Sequence, residues 1–380
     1  MGVFNGVELD DLVLSGPRLT LRRWELRDAG PVYAIFADGS MNRYLGVPEV
    51  YTPEMAGQFV VALGHEGRGE GTGFGCAVEL TETGELVASA SLRLPTAGRR
   101  HGEIGYWVAP AAQGHGYAAE VTDVLCRWAF EHGVHRIELF CEPTNLASAA
   151  SAMRAGFRFE GFQRNATLVR GEWRDTAAFA RLAGDSGEPT PWSFPKLAEP
   201  LTDGVVALRP YTEGDTAATL EIENDAVTIG VGFTGKPVTE DDLVRRTASL
   251  PLKWLVGGPA QFVIEDVATR HPAGTIQLRN EGPPKVASIG YDMHPSFRGR
   301  RYTTRALRLL SSWAFSIGYE RLELGAKWHN LASQRSAEGA GFIFESDRPA
   351  RLPNPDGAYS DETSYYLLNP TTRRSASEPD

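Results

Sequence analysis

The pattern of apolar and polar residues predicts a series of strands and helices in the first half of the chain. Leu19 to Arg22 alternates between apolar and polar side chains, which is typical of a half-buried strand. Residues 28–36 carry apolar side chains at helical spacing behind Asp28, a residue type that often caps helices. The same reasoning predicts helices at 28–36, 53–63, 117–132 and 146–155, and strands at 19–22, 74–80, 86–94, 101–108 and 137–141, with two more from 157 and 176.

The segment with the strongest pattern is the helix at 117–132. Val121, Leu125 and Trp128 form one apolar stripe along it, and Gly133 is a natural C-terminal stop. A short buried strand, a further helix and two strands follow it. This order indicates an α+β (mixed α/β) domain with one central, mostly antiparallel sheet flanked by helices.

The chain repeats itself, and the repeat decides the domain organisation. Residues 103–106, 128–130, 145–148 and 156–157 recur at 288–291, 313–315, 330–333 and 341–342, always 185 positions later. A period this long means two domains and not a solenoid. We expect an N-terminal domain at 14–183, a Pro/Gly-rich linker at 184–201 and a C-terminal domain at 202–370, packed as an intramolecular pseudo-dimer.

The composition limits the classes of function. The 380 residues carry a formal net charge of −10, which argues against a nucleic-acid-binding protein because such binding needs a basic surface. No apolar run reaches the ~18 residues of a membrane span, and the first residues lack a signal-peptide pattern. Cys76, Cys126 and Cys141 lie in apolar segments, so we expect buried thiols, no metal site and a cytoplasmic location.

A glycine-rich segment between the strand at 101–108 and the helix at 117–132 is the best candidate for a ligand site. Its glycines let the backbone approach a ligand, and the first N–H groups of a helix favour an anion. A pyrophosphate-binding turn is one interpretation, and a tight turn without a ligand is the other. The P-loop lysine and the dinucleotide fingerprint are both missing. The segment contains Gln113, Gly114, His115, Gly116, Tyr117 and Ala118.

Several motifs together resemble the GNAT superfamily of acetyltransferases. Residues 113–118 match its Gln/Arg-x-x-Gly-x-Gly/Ala signature, and Asn145-x-x-Ser148 with the later Gly-Phe pair matches its downstream helix motif. Residues 103–107 and the opening 19–28 resemble the branch related to ribosomal-protein N-terminal acetyltransferases. The resemblance covers 16–182 and, more weakly, 203–369. It implies an N-acetyltransferase that uses acetyl-CoA as co-substrate and no metal.

The resemblance also implies where acetyl-CoA lies. Its pantetheine would follow the strand that ends at Val108, with the thioester carbonyl near the backbone of Trp107 and Val108. Its pyrophosphate would lie on the N–H groups of residues 114–118. The amine would attack the thioester directly, without a covalent enzyme intermediate.

Three residues are candidates for proton transfer and positioning. Glu103 would act as the base, directly or through a water, and a surface glutamate at a strand start is the alternative. Ser148 would protonate or hydrogen-bond the thiolate, and Asn145 would hold the pantetheine or a water. A helix N-cap is the alternative for this pair, since both residue types cap helices well.

The second copy departs from the motif. Arg301 stands where the first copy has Gly116, and Ser288 stands where it has Glu103. An arginine at the close-approach glycine either blocks the pyrophosphate or reaches it as a cation. We therefore expect a degenerate second domain with a structural or substrate-shaping role. Arg335 keeps a basic position of the helix motif that is Ala150 in the first copy, which puts one phosphate contact there in doubt.

The motifs do not identify the acceptor. A protein N-terminus and a small-molecule amine both remain open, and the loop with Arg43 and Tyr44 is the candidate for the acceptor pocket. The alternatives to acetyl transfer are a non-catalytic acyl-CoA-binding or scaffold protein and an enzyme with a longer acyl donor.

Overall fold

The computed structural model describes residues 3–48, 50–65, 68, 70–95, 101–232, 236–280, 282–354 and 356–372, without the side chains of residues 3, 42, 43 and 65. The chain forms two compact units, Met1–Pro191 and Trp192–Asp380, which we call the N-terminal and C-terminal units. The boundary between them falls inside the segment 184–201. In the described part, no helix has both the length and the apolar character that crossing a bilayer requires.

The N-terminal unit follows the predicted order and adds short strands before it. Its helices are α1 (Ala29–Phe36), α2 (Pro53–His65), α3 (Tyr117–Glu131) and α4 (Leu146–Arg154). Its strands are β1 (Val3–Phe4), β2 (Val7–Glu8), β3 (Leu14–Ser15), β4 (Leu19–Arg22), β5 (Gly73–Leu80), β6 (Leu86–Arg93), β7 (Gly102–Val108), β8 (Arg136–Cys141), β9 (Arg158–Val169) and β10 (Glu172–Leu182).

The C-terminal unit repeats this order with four helices between its second and third strands. Its strands are β11 (Leu201–Thr202), β12 (Val206–Pro210), β13 (Ala260–Asp266), β14 (Pro272–Arg279), β15 (Val286–Met293), β16 (Arg321–Lys327), β17 (Ile343–Pro353) and β18 (Tyr359–Leu368). Its helices are α5 (Thr216–Glu223), α6 (Ala226–Val231), α7 (Glu240–Ala248), α8 (Leu250–Val256), α9 (Tyr302–Ser316) and α10 (Leu331–Ala340).

Each unit contains one eight-stranded sheet with the same topology. The orders are β3-β4-β5-β6-β7-β8-β10-β9 and β11-β12-β13-β14-β15-β16-β18-β17. Within each sheet the central pair, β7 with β8 or β15 with β16, is parallel, and the other neighbours are antiparallel. The prediction of two α+β domains, each with a mostly antiparallel sheet, is confirmed.

Helices cover both faces of the N-terminal sheet. Phe74 and Gly75 are neighbours on β5 and therefore point to opposite faces. The Phe74 ring packs edge-on against Trp128 of α3, with centroids 5.1 Å apart. A side chain added at Gly75 would reach Leu63 of α2 on the other face. The C-terminal part of α3 thus packs on one face, whereas α2, with α1 beside it, covers the opposite face.

A buried ion pair fastens the start of α1 to the sheet. Arg22 on β4 donates to both carboxylate oxygens of Asp28 at 2.8 Å and to Glu79 at 2.7 Å. Asp28 was expected to cap α1, but its side chain makes no cap hydrogen bond to that helix. It accepts from the N–H of Glu25 and from Arg22 instead. The sequence does not predict this ion pair, because no motif marks Arg22 as the partner of Asp28.

The segment expected to be a linker packs against both units. The Thr190 N–H donates to the Met153 carbonyl and the Thr190 hydroxyl to the Phe157 carbonyl, both at 2.8 Å. Phe194 is fully buried in the C-terminal unit, where its ring contacts Trp254 and Trp313. The proline and glycine content therefore marks an irregular segment that is nevertheless held by specific contacts.

Candidate active site

The two parallel strands at the centre of the N-terminal sheet separate after a short paired stretch. Residues 102–103 of β7 pair with 137–138 of β8, and no further ladder pairs join these strands in the described residues. Beyond Glu103 the two strands diverge, which leaves a wedge-shaped opening along the β8 side of β7. Backbone groups that face such an opening are available to a ligand, because no neighbouring strand pairs with them.

The glycine-rich loop lies at the wide end of this opening and leads into α3. Gly114 and Gly116 have φ of 81° and 79°, which glycine adopts at little cost, and Gly116 is the N-cap of α3. The Gln113 amide donates to the Val108 carbonyl at 3.2 Å and so ties the loop to the end of β7. The first N–H groups of a 15-residue helix thus point at the loop, as an anion site requires.

Two arginines that the sequence did not identify reach this loop. Arg18 and Arg154 line a cleft of about 470 Å³ together with Gly114, His115 and Gly116. A Cβ added at Gly116 would lie 3.8 Å from Nη1 of Arg154 and 3.9 Å from Nη2 of Arg18. Positive charge therefore lies directly over the close-approach glycine. The loop, the helix terminus and both guanidinium groups fit a pyrophosphate or another phosphate group.

The two arginines are held differently. Arg18 donates to Glu120 at 2.8 Å and to the His115 carbonyl at 3.1 Å, and its guanidinium lies 4.7 Å from the centre of the Tyr117 ring. Arg154 is exposed in the last turn of α4 and has no hydrogen bond or ion pair with the residues that the structure describes. Arg154 is thus the side chain that an incoming anion can engage without breaking an existing contact.

His115 has a structural role in the loop. Its Nδ1 lies 3.0 Å from the Gln113 carbonyl, and its ring stacks on Tyr117 at 5.5 Å. Its backbone remains part of the candidate anion site, together with that of Ala118. These contacts hold the side chain against the loop and away from the diverging strands.

Glu103 lies at the closed end of the opening. It occupies the last paired position of β7 and accepts from Arg93 of β6 at 2.8 Å. Its side chain is about one quarter exposed, at 27%, so water reaches the carboxylate. Alternation along β7 places Glu103 on the same face as Trp107, which packs toward α1 and α2. The carboxylate is therefore near the opening but already forms an ion pair.

Ser148 and Tyr106 form a hydroxyl pair across the opening. Ser148 lies in the first turn of α4, and its Oγ lies 3.1 Å from the Tyr106 phenol on β7. The phenol also donates to the Ser148 carbonyl at 3.2 Å. Burial raises the pKa of Tyr106 to about 12, so the phenol keeps its proton at neutral pH. Tyr106 is a second proton-bearing group at this site, and the sequence interpretation did not single it out.

Asn145 caps α4. Its Oδ1 accepts from the Ser148 N–H at 3.1 Å, which is the contact expected of an N-cap residue. The amide NH₂ group can still donate to a ligand in the opening. The geometry thus fixes Ser148 through Asn145 and leaves one side of the Asn145 amide for binding.

The predicted acceptor loop lies beside this helix terminus. The Tyr44 hydroxyl donates to the Thr144 carbonyl at 3.1 Å, one residue before Asn145. The side chain of Arg43 lies outside the described residues. Trp107 pairs with Ser89 of β6, and its ring is buried among Trp24, Phe36 and Phe59, with centroids 6.3, 5.2 and 6.3 Å away. The ring therefore forms a wall of apolar residues on the α1–α2 face.

The C-terminal unit retains the backbone of this site with different side chains. Gly299 and Arg301 have φ of 75° and 62°, close to the values of their counterparts Gly114 and Gly116. Arg301 is exposed, and it adopts the left-handed conformation in spite of its side chain. The loop therefore keeps its backbone geometry, and it differs from the N-terminal loop by the positive charge of Arg301.

The hydroxyl pair and the helix cap are also repeated. The Tyr291 phenol lies 2.7 Å from Ser333 Oγ, and Asn330 accepts from the Ser333 N–H at 3.2 Å. Arg298 takes the place of Gln113 and donates to the Met293 carbonyl at 3.2 Å, and it also pairs with Asp225 of the preceding helices at 2.5 Å. Both units thus hold the strand end and the helix start in the same way.

Comparison with known proteins identifies the same kind of domain in both halves of the chain. The family model of the acetyltransferase (GNAT) domain matches residues 18–158 and again 206–343. An uncharacterized N-acetyltransferase of Bacillus subtilis, YoaA, is 28% identical over 172 residues, which is 44% of this chain and 95% of the relative. The N-acetyltransferase p20 of Bacillus licheniformis is 25% identical over 166 residues, 43% of this chain and 93% of the relative.

Matches to solved structures cover about one unit's length of this chain. A GNAT-family acetyltransferase from Bacillus anthracis is 26% identical, with a TM-score of 0.41, and the match covers 46% of this chain and 100% of that one. Mycobacterium smegmatis RimJ, solved with a CoA-disulfide, is 28% identical, with a TM-score of 0.39, and covers 45% and 86%. Because the family model matches most of the chain in two separate stretches, the protein belongs to the GNAT acetyltransferase family and carries two of its domains in tandem.

Proposed function

We propose that the N-terminal unit transfers the acetyl group of acetyl-CoA to a primary amine. The observation that carries this proposal is the convergence of the Gly114–Gly116 loop, the N-terminus of α3 and the guanidinium groups of Arg18 and Arg154 on one cleft. A cleft with this charge and backbone suits a pyrophosphate-bearing ligand, and it adjoins an opening between strands that can hold an extended chain.

The residues of the opening would hold the rest of the cofactor. The backbone at the end of β7, at Trp107 and Val108, would bind the pantetheine and the thioester carbonyl, and the loop from Gln113 to Ala118 would bind the pyrophosphate. The Asn145 amide would donate to the pantetheine from the start of α4. When bound, acetyl-CoA supplies an activated thioester that an amine can attack.

The side chains around the opening then serve the two proton transfers. Glu103 would accept the proton of the substrate ammonium through a water, since its carboxylate is partly exposed and paired with Arg93. As the amine nitrogen bonds to the acetyl carbon, the carbon–sulfur bond breaks, and the sulfur takes a proton from Ser148 or, through it, from Tyr106. No covalent bond to the protein is needed.

Binding of acetyl-CoA is tested first, by calorimetric titration of the intact chain and of Arg154→Ala. We expect at least tenfold weaker binding in the variant, because a charge-assisted hydrogen bond to a phosphate contributes about 1.5–3 kcal/mol. Arg164→Ala is the matched control, since Arg164 is an exposed arginine on β9 that does not line the cleft. Equal affinity in all three proteins would remove the cleft from the proposal.

Turnover is tested by following thiol release from acetyl-CoA with free amines and with peptides that have a free N-terminus. We expect release with at least one amine, and none with the N-acetylated form of the same peptide. Glu103→Gln should lower kcat by about 100-fold without changing the Kd for acetyl-CoA. Binding without turnover across the panel would favour a non-catalytic acyl-CoA-binding protein, and turnover only with longer acyl-CoA donors would change the donor.

A further inference from the structure

The C-terminal unit contains a deep cleft on the face of its sheet that corresponds to the α1–α2 face. Strands β15 and β16 pair over three positions, from Val286 with Arg321 to Ser288 with Glu323, and then diverge as β7 and β8 do. The cleft beside this opening has a volume of about 530 Å³ and is bounded by the helices α5 to α8. This volume lies in the range of small-molecule sites.

Asp292 lies on the floor of this cleft. It occupies the β15 position that corresponds to Trp107 of β7, and it is exposed to solvent inside the cleft. In the described part of the chain, no hydrogen bond or ion pair reaches its carboxylate. Its depth among protein groups, together with the charge of Glu223, raises the pKa of Asp292, against the opposing charge of Arg279. A cation placed beside this carboxylate would therefore relieve an unfavourable environment.

Most of the other charges around Asp292 are paired. Arg246 forms an ion pair with Glu223 at the cleft. Arg279 lies opposite Ser288 on β14 and corresponds to Arg93, whose partner Glu103 has no counterpart here. Its guanidinium lies beside Gly290, so a side chain at that position would displace it. In β7 the acidic residue on this face is Glu103, at the closed end of the opening. In β15 it is Asp292, on the cleft floor, four positions beyond Ser288.

Lysines supply positive charge around the same cleft. Lys236, Lys253 and Lys327 all line it. Lys327 is buried, and its Nζ donates to the Gly232 carbonyl at 2.9 Å. Burial lowers the pKa of both Lys253 and Lys327, because it disfavours their charged forms. An anion beside them would offset this cost. The cleft therefore combines one solvent-facing carboxylate with a set of ammonium groups.

We propose that this cleft is a second ligand site, which binds a small molecule with both an ammonium and a carboxylate group, the chemistry of a free amino acid. The ammonium would pair with Asp292 on the floor, and the carboxylate would meet the lysines at the walls. The site differs from the N-terminal unit, where Trp107 and its aromatic neighbours occupy the corresponding face. The proposal does not depend on acetyl transfer by either unit.

The test is calorimetric titration of the intact chain, without acetyl-CoA, with each of the common L-amino acids at up to about 10 mM. We expect at least one to bind with one equivalent per chain. The N-acetyl derivative of that amino acid and its decarboxylated amine should each bind at least tenfold more weakly, because each lacks one charged group. These three ligands test the proposal on the unaltered protein.

The variants then locate the site. Asp292→Asn should weaken binding of the same amino acid at least tenfold, because the amide cannot pair with the ammonium. Asp241→Asn should leave the affinity unchanged, because Asp241 is an exposed aspartate at the start of α7 with no hydrogen bond or ion pair in the described residues. The proposal is overturned if no amino acid binds, if the N-acetyl derivative binds equally well, or if Asp292→Asn binds with the original affinity.

Discussion

Trp107 and Asp292 occupy the same position on the corresponding strands β7 and β15, with opposite surroundings. The Trp107 ring is 9% exposed and packs at 5.2 Å against Phe36, whereas Asp292 faces an open cleft. The strands around them have the same pairing and the same divergence. The same strand position therefore belongs to an apolar wall in one unit and to the floor of an open cleft in the other.

The first prediction follows from this difference. Trp107→Asp should lower the free energy of unfolding of the N-terminal unit by about 4 kcal/mol, because it removes a large buried ring and places a carboxylate among aromatic side chains. Urea unfolding followed by fluorescence measures the loss. Trp107→Phe keeps an aromatic ring and should cost no more than about 2 kcal/mol.

A substitution at the corresponding position of the C-terminal unit is the control for that prediction. Asp292→Asn should change the stability of the C-terminal unit by less than about 1 kcal/mol, since the carboxylate is exposed and unpaired in the described residues. A small effect of Trp107→Asp, similar to that of Asp292→Asn, would mean that the aromatic cluster on the α1–α2 face is not tightly packed.

The sequence predicts most of the fold because the periodicity of its elements is a local signal and its repeat can be found by comparing the two halves. The stripe of Val121, Leu125 and Trp128 is buried as expected, and the helix ends at Glu131, close to the predicted stop. Thiols of all three cysteines are free and buried, as the apolar context predicts. The three short strands before residue 16 were missed, because two-residue strands have too few positions to show alternation.

The candidate site is predictable only where its residues are consecutive. The glycine loop and the Asn145 cap follow from short motifs, whereas Arg18 and Arg154 lie far from the loop in sequence and reach it only through the fold. The same limit applies to Asp292. Its position within a strand reads as an ordinary polar residue until the four helices before β13 show that a cleft lies above it.

The second prediction concerns acid stability. Burial opposes the ionisation of Asp28, but Arg22 and the Glu25 N–H outweigh it and hold the pKa of this carboxyl below its usual value. A carboxyl whose pKa is lowered by folding stabilises the folded unit at pH values above its unfolded pKa of about 3.9. This contribution is lost as the pH falls further. Asp28→Asn should therefore cost about 3 kcal/mol at pH 7, and the difference from the wild type should shrink below about pH 4.

Urea unfolding between pH 3 and pH 7 measures this difference. Asp11→Asn is the control, because Asp11 is an exposed carboxylate of the same unit, and it should show no comparable effect. Asp215→Asn should repeat the result in the C-terminal unit, where Asp215 accepts from Arg209 at 2.7 Å. A gap between wild type and Asp28→Asn that is constant with pH would contradict the role of the ionised carboxylate.

The third prediction exchanges the N-cap residues of α3 and α9. Arg301→Gly should stabilise the C-terminal unit by about 1 kcal/mol, because it relieves a left-handed residue with a side chain, and Gly116→Arg should cost the N-terminal unit a similar amount. Arg300→Gly is the control for Arg301→Gly, since Arg300 is not among the residues with positive φ and packs on Phe297. Thermal unfolding of the variants measures these changes.

The same exchange tests which unit binds acetyl-CoA. We expect one equivalent per chain in the wild type and none after Gly116→Arg, because the new side chain would enter the cleft beside Arg18 and Arg154. Two equivalents in the wild type, with one surviving Gly116→Arg, would show that Arg301 tolerates the cofactor and that the second domain is not degenerate.

The fourth prediction separates capping from catalysis at Asn145. Asn145→Ala should lower the stability of the N-terminal unit by about 1 kcal/mol, because the Ser148 N–H loses its acceptor. Asn145→Ser restores a capping oxygen, so its stability should return to near the original, while turnover stays about tenfold low because the amide donor is missing. Asn330→Ala removes the equivalent cap of α10 and should reproduce the stability loss without the loss of turnover. If Asn145→Ser recovers stability and turnover together, Asn145 acts only by fixing the start of α4.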